Sequence, residues 1–455
     1  MTPKSHELLY HPAMHLPYLI ADFKGIGGVI KQRPEDFFVQ EIPLYEPSGE
    51  GEHVYTEIQK VGITTFEVLN RLSRMLNVAP ANIGYAGMKD AHAVTRQVFS
   101  IAGTTPEAVM AVAQRDTQLG VQWATRHGNK LRIGHLRGNR FAIKIRDVDP
   151  IAVVKIKPVL DALQQRGMPN YFGEQRFGRR GDNHLLGAAL VRNDNAAILK
   201  LLLGSPNLHL DDSERYKARV AFEARDNEAA LKFWPRNSGV ERRVLSRLMS
   251  SRRPNAAVRV IDVKVRRLWV SAVQSHLFNQ ILARRVTSLG VDKVVVGDMA
   301  EKHDNGACFY VEDLAAEQPR CERFEISPTG PLVGYRVNLA KDTAGAIEEA
   351  VLNDAGMKPD DFRHAGRHKV KGGRRALRVR PTDVSLESGV DDDGAYITVA
   401  FTLPAGAFAT VLMREIMRDD EVEAEPDGEP SNESDSEDDS IDVSEEPEST
   451  DDLEE

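Results

Sequence analysis

The sequence predicts an α+β protein, because segments with strand-like alternation and segments with helical periodicity are interspersed along its 455 residues. A chain of this length is long enough for about two domains, at roughly 100–200 residues each. Its two cysteines, Cys308 and Cys321, have no CxxC motif or ligand cluster beside them. This pattern argues against a disulfide framework and against a cysteine-rich zinc site.

The first elements are predicted between residues 37 and 80. Residues 37–42 and 53–59 have the composition of short strands joined by a turn-rich segment. Thr64 and Glu67 then form a capping box, which begins a helix that Pro80 ends. Apolar side chains recur at helical spacing between these two points, at Phe66, Leu69, Leu72 and Leu76.

A second strand pattern covers residues 140–146. Apolar residues alternate there with Arg140, Lys144 and Arg146, which predicts a strand with one basic face. Just before it, the pair Gly138-Asn139 favours a turn in which Asn139 adopts a left-handed conformation.

The C-terminal half adds a long helix and another strand. Residues 271–289 have an apolar stripe at helical spacing and are followed by Gly290, which predicts a core helix. Residues 395–403 read as an apolar strand. The turn Pro404-Ala405-Gly406 then leads into a short helix, with Phe408 placed to leave the core and line a cleft.

Charge is distributed unevenly along the chain. The formal net charge is -9, yet residues 419–455 hold 20 of the 68 acidic residues and none of the 59 Lys and Arg. The remainder therefore carries 48 acidic residues and a formal charge of +11. A basic body favours binding to a polyanion. The acidic tail, predicted to be disordered, either competes for the same surface or only improves solubility.

No segment has the features of a secretory signal or a membrane anchor. Residues 1–23 lack a basic head followed by an apolar core. No stretch approaches the roughly 18 apolar residues that a membrane span needs. We therefore expect a cytoplasmic protein with no membrane partner.

Two further segments are candidates for contact with RNA. Residues 363–380 contain eight Lys or Arg and no acidic residue, broken by Gly372-Gly373. Such a run is typical either of a solvated surface or of a phosphate-binding loop. Residues 169–178, PNYFGEQRFG, interleave aromatic side chains with Gln and Arg, a pattern found on RNA-stacking surfaces and also at the edges of ordinary cores.

The most informative segment is residues 84–100, GYAGMKDAHAVTRQVFS, which surrounds one carboxylate, Asp90, with polar and basic residues. An aspartate in a glycine-containing turn most often caps a helix or bonds to its own main chain. Here Lys89, His92 and Arg96 also fit a carboxylate held against a polyanionic substrate. Its predicted place in a loop that enters a strand at 98–101 suits a catalytic group.

Taken together, these segments resemble the TruD family of tRNA pseudouridine synthases. The resemblance covers residues 31 to about 418 and leaves residues 194–253 without a matching block. The blocks that carry it are KQRPEDFFVQE (31–41), GYAGMKDAHAVTRQ (84–97), LRGNRF (136–141), NYFGEQRFG (170–178), SHLFNQIL (275–282), GPLVG (330–334) and LPAGAFATVLMRE (403–415).

The resemblance implies a fold and a reaction. The expected fold is a pseudouridine synthase core with a mixed, mostly antiparallel sheet (31–169 and 336–418) and an inserted α/β TRUD domain (170–335). An N-terminal extension (1–30) and a disordered acidic tail (419–455) would complete the chain. The expected activity is isomerisation of uridine to pseudouridine in the D arm of tRNA, at position 13. Neither cofactor nor metal is implied, and no DNA partner is expected.

The resemblance also implies the residues of the site. Asp90 would be the essential carboxylate, acting as nucleophile or as base at the ribose. Lys31 would keep it ionised and orient it. A uridine flipped out of its stack would be contacted by Phe37, Asn139 and Phe408, with Phe141 beneath the base.

Two other functions compete with this one. A catalytically silent RNA clamp would keep the cleft, but it has no need of the Asp90–Lys31 pair. An RNA glycosidase would release the base, but the apolar wall of Phe37, Phe141 and Phe408 would limit access of water. Nucleoside analysis of RNA after incubation separates the three.

Overall fold

The structure of the protein is a computed structural model that describes residues 16–365 and 369–418. The first half of the expected N-terminal extension (1–15) and the whole of the expected acidic tail (419–455) lie outside the described residues. Within the described part, no helix is both long enough and apolar enough to cross a membrane.

The strands are numbered here in chain order. They are β1 (Phe37–Pro43), β2 (His53–Val61), β3 (Ile83–Tyr85), β4 (Val94–Ala102), β5 (Leu119–His127), β6 (Leu136–Arg146), β7 (Met168–Pro169), β8 (Met299–Lys302), β9 (Cys308–Tyr310), β10 (Ile326–Leu332), β11 (Gly373–Ala376), β12 (Arg378–Val379), β13 (Thr382–Asp391) and β14 (Gly394–Pro404).

The α-helices are numbered in the same way. They are α1 (Thr65–Leu76), α2 (Pro106–Met110), α3 (Val153–Arg166), α4 (Asn183–Val191), α5 (Asn195–Leu203), α6 (Ser213–Glu223), α7 (Asn227–Phe233), α8 (Gly239–Ser251), α9 (Pro254–Val258), α10 (Val263–Ser288), α11 (Leu314–Glu322), α12 (Asp342–Asp354) and α13 (Ala409–Met417).

The chain forms two compact units. One, called here the core unit, contains residues 20–168 and 379–418. The other, called the insert unit, contains residues 16–19, 169–365 and 369–378. The core unit is thus interrupted in sequence by most of the insert unit.

An eight-stranded sheet forms the centre of the core unit. Its order is β13-β14-β6-β1-β4-β2-β5, with β3 paired to β4. β1 and β4 run parallel, and the other pairs of this sheet are antiparallel. The predicted α+β class with a mixed, mostly antiparallel sheet is confirmed.

Helix α1 packs on this sheet for the reason its sequence predicts. Thr64 caps it by accepting a hydrogen bond from the Glu67 amide (3.1 Å), and the Glu67 carboxylate accepts one from the Thr64 amide (3.0 Å). Its buried residues Val68, Leu69 and Leu72 join Ile58 and Phe99 of the sheet in one apolar cluster. One face of the sheet is therefore covered near β2 and β4.

The insert unit combines helices with a four-stranded antiparallel sheet of order β11-β10-β8-β9. One large apolar cluster of this unit involves α4, α5, α8 and α10. The helix predicted at 271–289 is the C-terminal part of α10. Tyr171, Phe172 and Phe177 of the PNYFGEQRFG segment are all buried, so here the pattern reflects core packing.

The basic run at 363–380 differs from a solvated surface loop. Arg374 binds the buried carboxylate of Glu348 (2.8 Å), and Arg378 is almost fully buried and donates to the hydroxyl of Ser327 (3.0 Å). The phosphate-binding interpretation is therefore wrong for these two arginines, because Arg374 is paired with Glu348 and the guanidinium of Arg378 is buried and hydrogen-bonded inside the unit. Lys369 and Lys371 of the same run are exposed.

The insert unit also extends further than the expected inserted domain. We expected that domain to end at residue 335, but the compact unit continues to residue 378. The cause is visible in its packing, since β11 pairs with β10 and α12 packs on α10.

Candidate active site

A group of polar side chains lies on one face of the core sheet. Side chains alternate along a strand, and residues paired between strands share a face. Glu41 pairs with Asn139, Val39 with both Phe141 and Thr95, and Lys60 with Thr95. Glu41, Lys60 and Asn139 therefore share the face that carries Phe37 and Phe141.

Asp90 lies in the loop between β3 and β4, as the sequence predicts. One carboxylate oxygen accepts a hydrogen bond from the His92 amide (3.1 Å), and the other contacts the ammonium of Lys31. The Asp90 side chain is 29% exposed and that of Lys31 is 24% exposed. The pair is thus partly shielded from water and still open to a ligand.

Lys60 supports the Asp90 loop from inside the protein. It is fully buried, and its ammonium donates to the main-chain carbonyl oxygens of Asp90 (2.7 Å) and Ile63 (2.6 Å). Burial lowers the pKa of Lys60 to about 8, against the attraction of Asp90 and Glu67. A buried cation therefore fixes the backbone of the candidate catalytic residue.

Two further side chains hold the preceding part of the loop. Thr65 accepts a hydrogen bond from the Lys89 amide (3.0 Å) and donates to the side-chain oxygen of Gln97 (3.0 Å). The amide nitrogen of Gln97 donates to the carbonyl oxygen of Gly87 (2.5 Å). Residues 87–90 are thus anchored at three main-chain points, from β2, α1 and β4.

Lys31 lies in an unusual backbone conformation. Its φ is +59°, in the left-handed region that non-glycine residues rarely adopt. The carbonyl oxygen of Lys31 lies 2.9 Å from the imidazole Nε2 of His92, and its ammonium lies 4.5 Å from the centroid of the Phe37 ring. Contacts with the Asp90 loop and with Phe37 therefore compensate a conformation that costs about 1–3 kcal/mol.

Arg146 anchors both ends of the segment that carries Lys31. Its main chain exchanges two hydrogen bonds with Val29 (2.8 and 2.9 Å), and its guanidinium binds the buried carboxylate of Asp36 (2.7 Å). Burial of Asp36 would raise its pKa, but hydrogen bonds and charge from Arg146 hold the pKa below its usual value. Arg146 also binds Asp391 (2.8 Å). The predicted basic face of β6 is thus partly buried.

Lys89 connects Asn139 to a buried acid. Its ammonium donates to the side-chain oxygen Oδ1 of Asn139 (2.9 Å) and lies 2.8 Å from Oε2 of Glu41. The side chains of Lys89 and Glu41 are 7% and 1% exposed. Burial raises the pKa of Glu41, and the charge of Lys89 opposes that rise. Asn139 lies within β6, so the predicted left-handed turn is wrong at this position.

The aromatic residues form part of the same face. Phe37 and Phe141 meet edge to face with their ring centroids 6.3 Å apart, and Phe141 packs on Phe401 at 5.4 Å. Both Phe37 and Phe141 are buried.

Phe408 is half-buried at the residue before α13. The turn that precedes it is fastened to β6, because Ala405 donates to the carbonyl oxygen of Arg137 (3.0 Å) and Leu403 pairs with Asn139. Gly138 allows this close approach, since a Cβ there would lie 2.2 Å from the carbonyl oxygen of Leu403.

The structure thus places Lys31 in contact with both Asp90 and Phe37, and it links Asn139 to Lys89, the residue that precedes Asp90. Sequence reasoning missed Lys60, Glu41 and Thr65 as parts of this arrangement. Strand alternation alone could have placed Glu41 on the face of Phe37. Among residues 16–365 and 369–418, no group of three His, Cys, Asp or Glu side chains is arranged to hold a metal ion.

Comparison with known proteins gives a consistent result. The family described as tRNA pseudouridine synthase D (TruD) matches residues 13–416. A tRNA pseudouridine synthase D of Syntrophotalea carbinolica is 44% identical over 403 residues, which cover 89% of this chain and 99% of the relative. One from Geotalea daltonii is 43% identical over 408 residues, which cover 89% of this chain and all of the relative.

A solved structure also resembles the chain. It is the crystal structure of the putative tRNA pseudouridine synthase D (TruD) from Methanosarcina mazei, with a TM-score of 0.77 and 28% sequence identity. The similarity covers 89% of this chain and 99% of that one. On the family match and the close relatives together, the chain belongs to the TruD family of tRNA pseudouridine synthases.

Proposed function

We propose that the protein is a tRNA pseudouridine synthase that converts a uridine of the D arm, at position 13, into pseudouridine, with Asp90 as its catalytic residue. Family membership supports the reaction and the substrate. The observation that supports the assignment of Asp90 is its partly exposed carboxylate, paired with Lys31 on a loop that Lys60, Thr65 and Gln97 hold in place.

The reaction moves one bond without a net change in composition. The bond between ribose C1′ and uracil N1 breaks, the base turns, and C1′ bonds to C5. The hydrogen on C5 leaves as a proton, and N1 gains one. A carboxylate serves this chemistry as nucleophile or as base at the ribose, and in either role it has to be ionised. The ammonium of Lys31 contacts one oxygen of this carboxylate and orients it.

The remaining site residues would hold the flipped uridine. Extruding a base costs a few kcal/mol, which contacts in the pocket have to offset. We assign Phe37, Phe408 and Asn139 to contacts with the nucleotide, and Phe141 to the floor of the pocket. Phe408 is half-buried and follows a turn that is fastened to β6, and this position supports its contact with the nucleotide.

The tRNA partner follows from the proposed activity, and so does a cytoplasmic location, where tRNA is available. The test is a pseudouridine map of total RNA from cells with and without the protein. Loss of pseudouridine at position 13 of tRNA in the deletion strain is expected, with return of the signal on complementation. An unchanged map would overturn the proposed function.

A further inference from the structure

We propose that Lys89 fixes the side-chain amide of Asn139 so that it acts only as a hydrogen-bond donor toward the substrate base, and that this donor selects uracil through the whole rearrangement. The inference rests on the proposed function, because it concerns how that site recognises its base. Lys89 acts here as a positioning residue.

The orientation of the amide follows from the chemistry of its neighbour. A lysine ammonium has three donors and no acceptor. It can therefore meet only the oxygen of an amide, and here it donates to Oδ1 of Asn139 over 2.9 Å. The reversed amide would set its NH2 group against the ammonium. Oδ1 is thus engaged by the protein, and Nδ2 has no hydrogen-bond partner among the residues that the structure describes.

The ammonium itself is held firmly. Lys89 lies between Asn139 and the carboxylate of Glu41, whose side chain is 1% exposed. Its main-chain amide donates to Thr65 (3.0 Å). Burial strengthens the charge-assisted contacts of the Lys89 ammonium, because water does not compete for them. The amide of Asn139 is therefore set by a buried ion pair and does not rotate freely at the surface.

A donor at this position suits uracil in a way that an acceptor does not. When the detached base turns by half a revolution about the axis through C6 and N3, N1 exchanges places with C5, and the C2 carbonyl exchanges places with the C4 carbonyl. A fixed donor aimed at either carbonyl finds an oxygen both before and after the turn. The same hydrogen bond can hold substrate and product orientations.

Cytosine fails this requirement. It has a carbonyl at C2 but an amino group at C4, so one of its two orientations sets N–H groups against the N–H groups of Asn139. A site that sets two buried hydrogen-bond donors against each other rejects the wrong ligand strongly. A site that only loses one apolar contact rejects it far less. Lys89 therefore contributes to the choice of uridine without touching it.

The test measures isomerisation of tRNA that carries uridine, 2-thiouridine or 4-thiouridine at the target position, by nucleoside analysis under single-turnover conditions. Sulfur is a weaker acceptor than oxygen, so we expect each thio substitution to slow the wild-type protein about fivefold to tenfold, the range of one neutral hydrogen bond. In Asn139→Ala, the thio substitutions should change the rate by less than about twofold, because the donor is gone.

Lys89 is tested by the double variant Lys89→Met with Glu41→Gln, which removes the ammonium without leaving a buried charge alone. Lys130→Met is the matched control, because it removes a lysine that donates to the main-chain carbonyl of Ala81 (2.6 Å) and leaves the contacts of Lys89 with Glu41 and Asn139 unchanged. The double variant should lose most of the thio effect and the control should keep it. Thermal unfolding of each variant verifies that it is folded.

The outcomes are separable. A thio effect in Asn139→Ala as large as in the wild type would overturn the role of the amide as donor. A full thio effect in the double variant would overturn the role of Lys89. Failure of the wild-type protein to isomerise uridine in any tRNA would instead contradict the proposed function.

Discussion

The ammonium of Lys60 donates a 2.7 Å hydrogen bond to the main-chain carbonyl of Asp90, from a fully buried position on β2. The residue that presents the candidate catalytic carboxylate is thus held from inside by one lysine, while another, Lys31, contacts its carboxylate from outside. The main chain and the carboxylate of Asp90 are thus held by two different lysines.

Replacing Lys60 by Met should therefore reduce turnover while RNA binding stays nearly constant. The side chain keeps most of its length, but the carbonyls of Asp90 and Ile63 lose their donor, and the loop can shift. A displacement of about 1 Å at a reacting group can cost roughly 100-fold in rate, so we expect single-turnover conversion to fall by about 10- to 100-fold.

Lys130→Met is the matched control, because Lys130 also donates to a main-chain carbonyl, that of Ala81 (2.6 Å), outside the Asp90 loop. It should convert tRNA at close to the wild-type rate. Equal rates for Lys60→Met and the wild type would show that Lys60 does not position Asp90.

Lys60 also predicts how stability depends on pH. Burial lowers its folded-state pKa from the ordinary 10.5 to about 8, Lys89 acts in the same direction, and Asp90 and Glu67 oppose the shift. Between these pH values the unfolded chain holds a proton that the folded protein has lost, so this group makes the folded state more stable as pH rises.

The contribution of one such proton is up to about 1.4 kcal/mol per pH unit. The free energy of unfolding, measured in urea at pH 7.5, 8.5 and 9.5, should therefore rise more steeply for the wild type than for Lys60→Met. Parallel pH profiles of the two proteins would show that Lys60 titrates at its ordinary value.

Arg146 should be important for stability. Its guanidinium and the carboxylate of Asp36 are both about 1% exposed, so Arg146→Met leaves a buried charge without its partner. Removing one member of such a pair typically costs about 3–5 kcal/mol. Arg33→Gln is the comparison, because Arg33 also contacts Asp36 and Asp391 but is 42% exposed.

Exposed pairs contribute about 0–1 kcal/mol, so Arg33→Gln should shift the urea midpoint little. Arg146→Met should lower it strongly. Similar midpoints for the two variants would mean that the Arg146–Asp36 pair does not anchor the Lys31 segment.

Salt-dependent RNA binding should come from α8 and from the turn between α8 and α9 of the insert unit. Arg243, Arg247, Arg252 and Arg253 are exposed, and no ion pair engages them among the residues described. Replacing all four by Gln should lower the slope of log affinity against log salt by roughly 0.7–0.9 for each phosphate that an arginine no longer neutralises.

Lys157→Gln supplies the control for that experiment, since Lys157 is equally exposed but pairs with Asp161 at 2.9 Å. Its slope should match that of the wild type. If the fourfold variant also keeps the wild-type slope, the arginines of α8 and of the turn after it are solvated surface without a phosphate partner.

Local patterns predicted the elements that position the site. The capping box at Thr64 and the alternation around Phe141 depend on neighbours within a few residues, and both appear in the structure as predicted. The hydrogen bond of Lys60 with Asp90 joins residues 30 apart, and the ion pair of Lys89 with Glu41 depends on sheet register. Neither is encoded in a local pattern.

The basic run at 363–380 also shows that a local pattern does not reveal partners that are distant in sequence. Arg374 was a candidate for phosphate binding because its neighbours are basic, yet its partner Glu348 lies on another element. A count of charges along the sequence does not reveal a buried acid that only the fold brings near.

Asp90 is proposed to carry the isomerisation of uridine in tRNA, and one measurement tests this role most directly. Because C5 loses its hydrogen when it bonds to the ribose, tritium release from tRNA labelled at uridine C5 reports the reaction directly. We expect the wild-type protein to release tritium from one uridine per tRNA, with the new pseudouridine at position 13. Asp90→Asn, which keeps the shape but is neither base nor nucleophile, should release none while binding tRNA normally. Release by Asp90→Asn within tenfold of the wild-type rate, with enzyme in excess, would contradict the account.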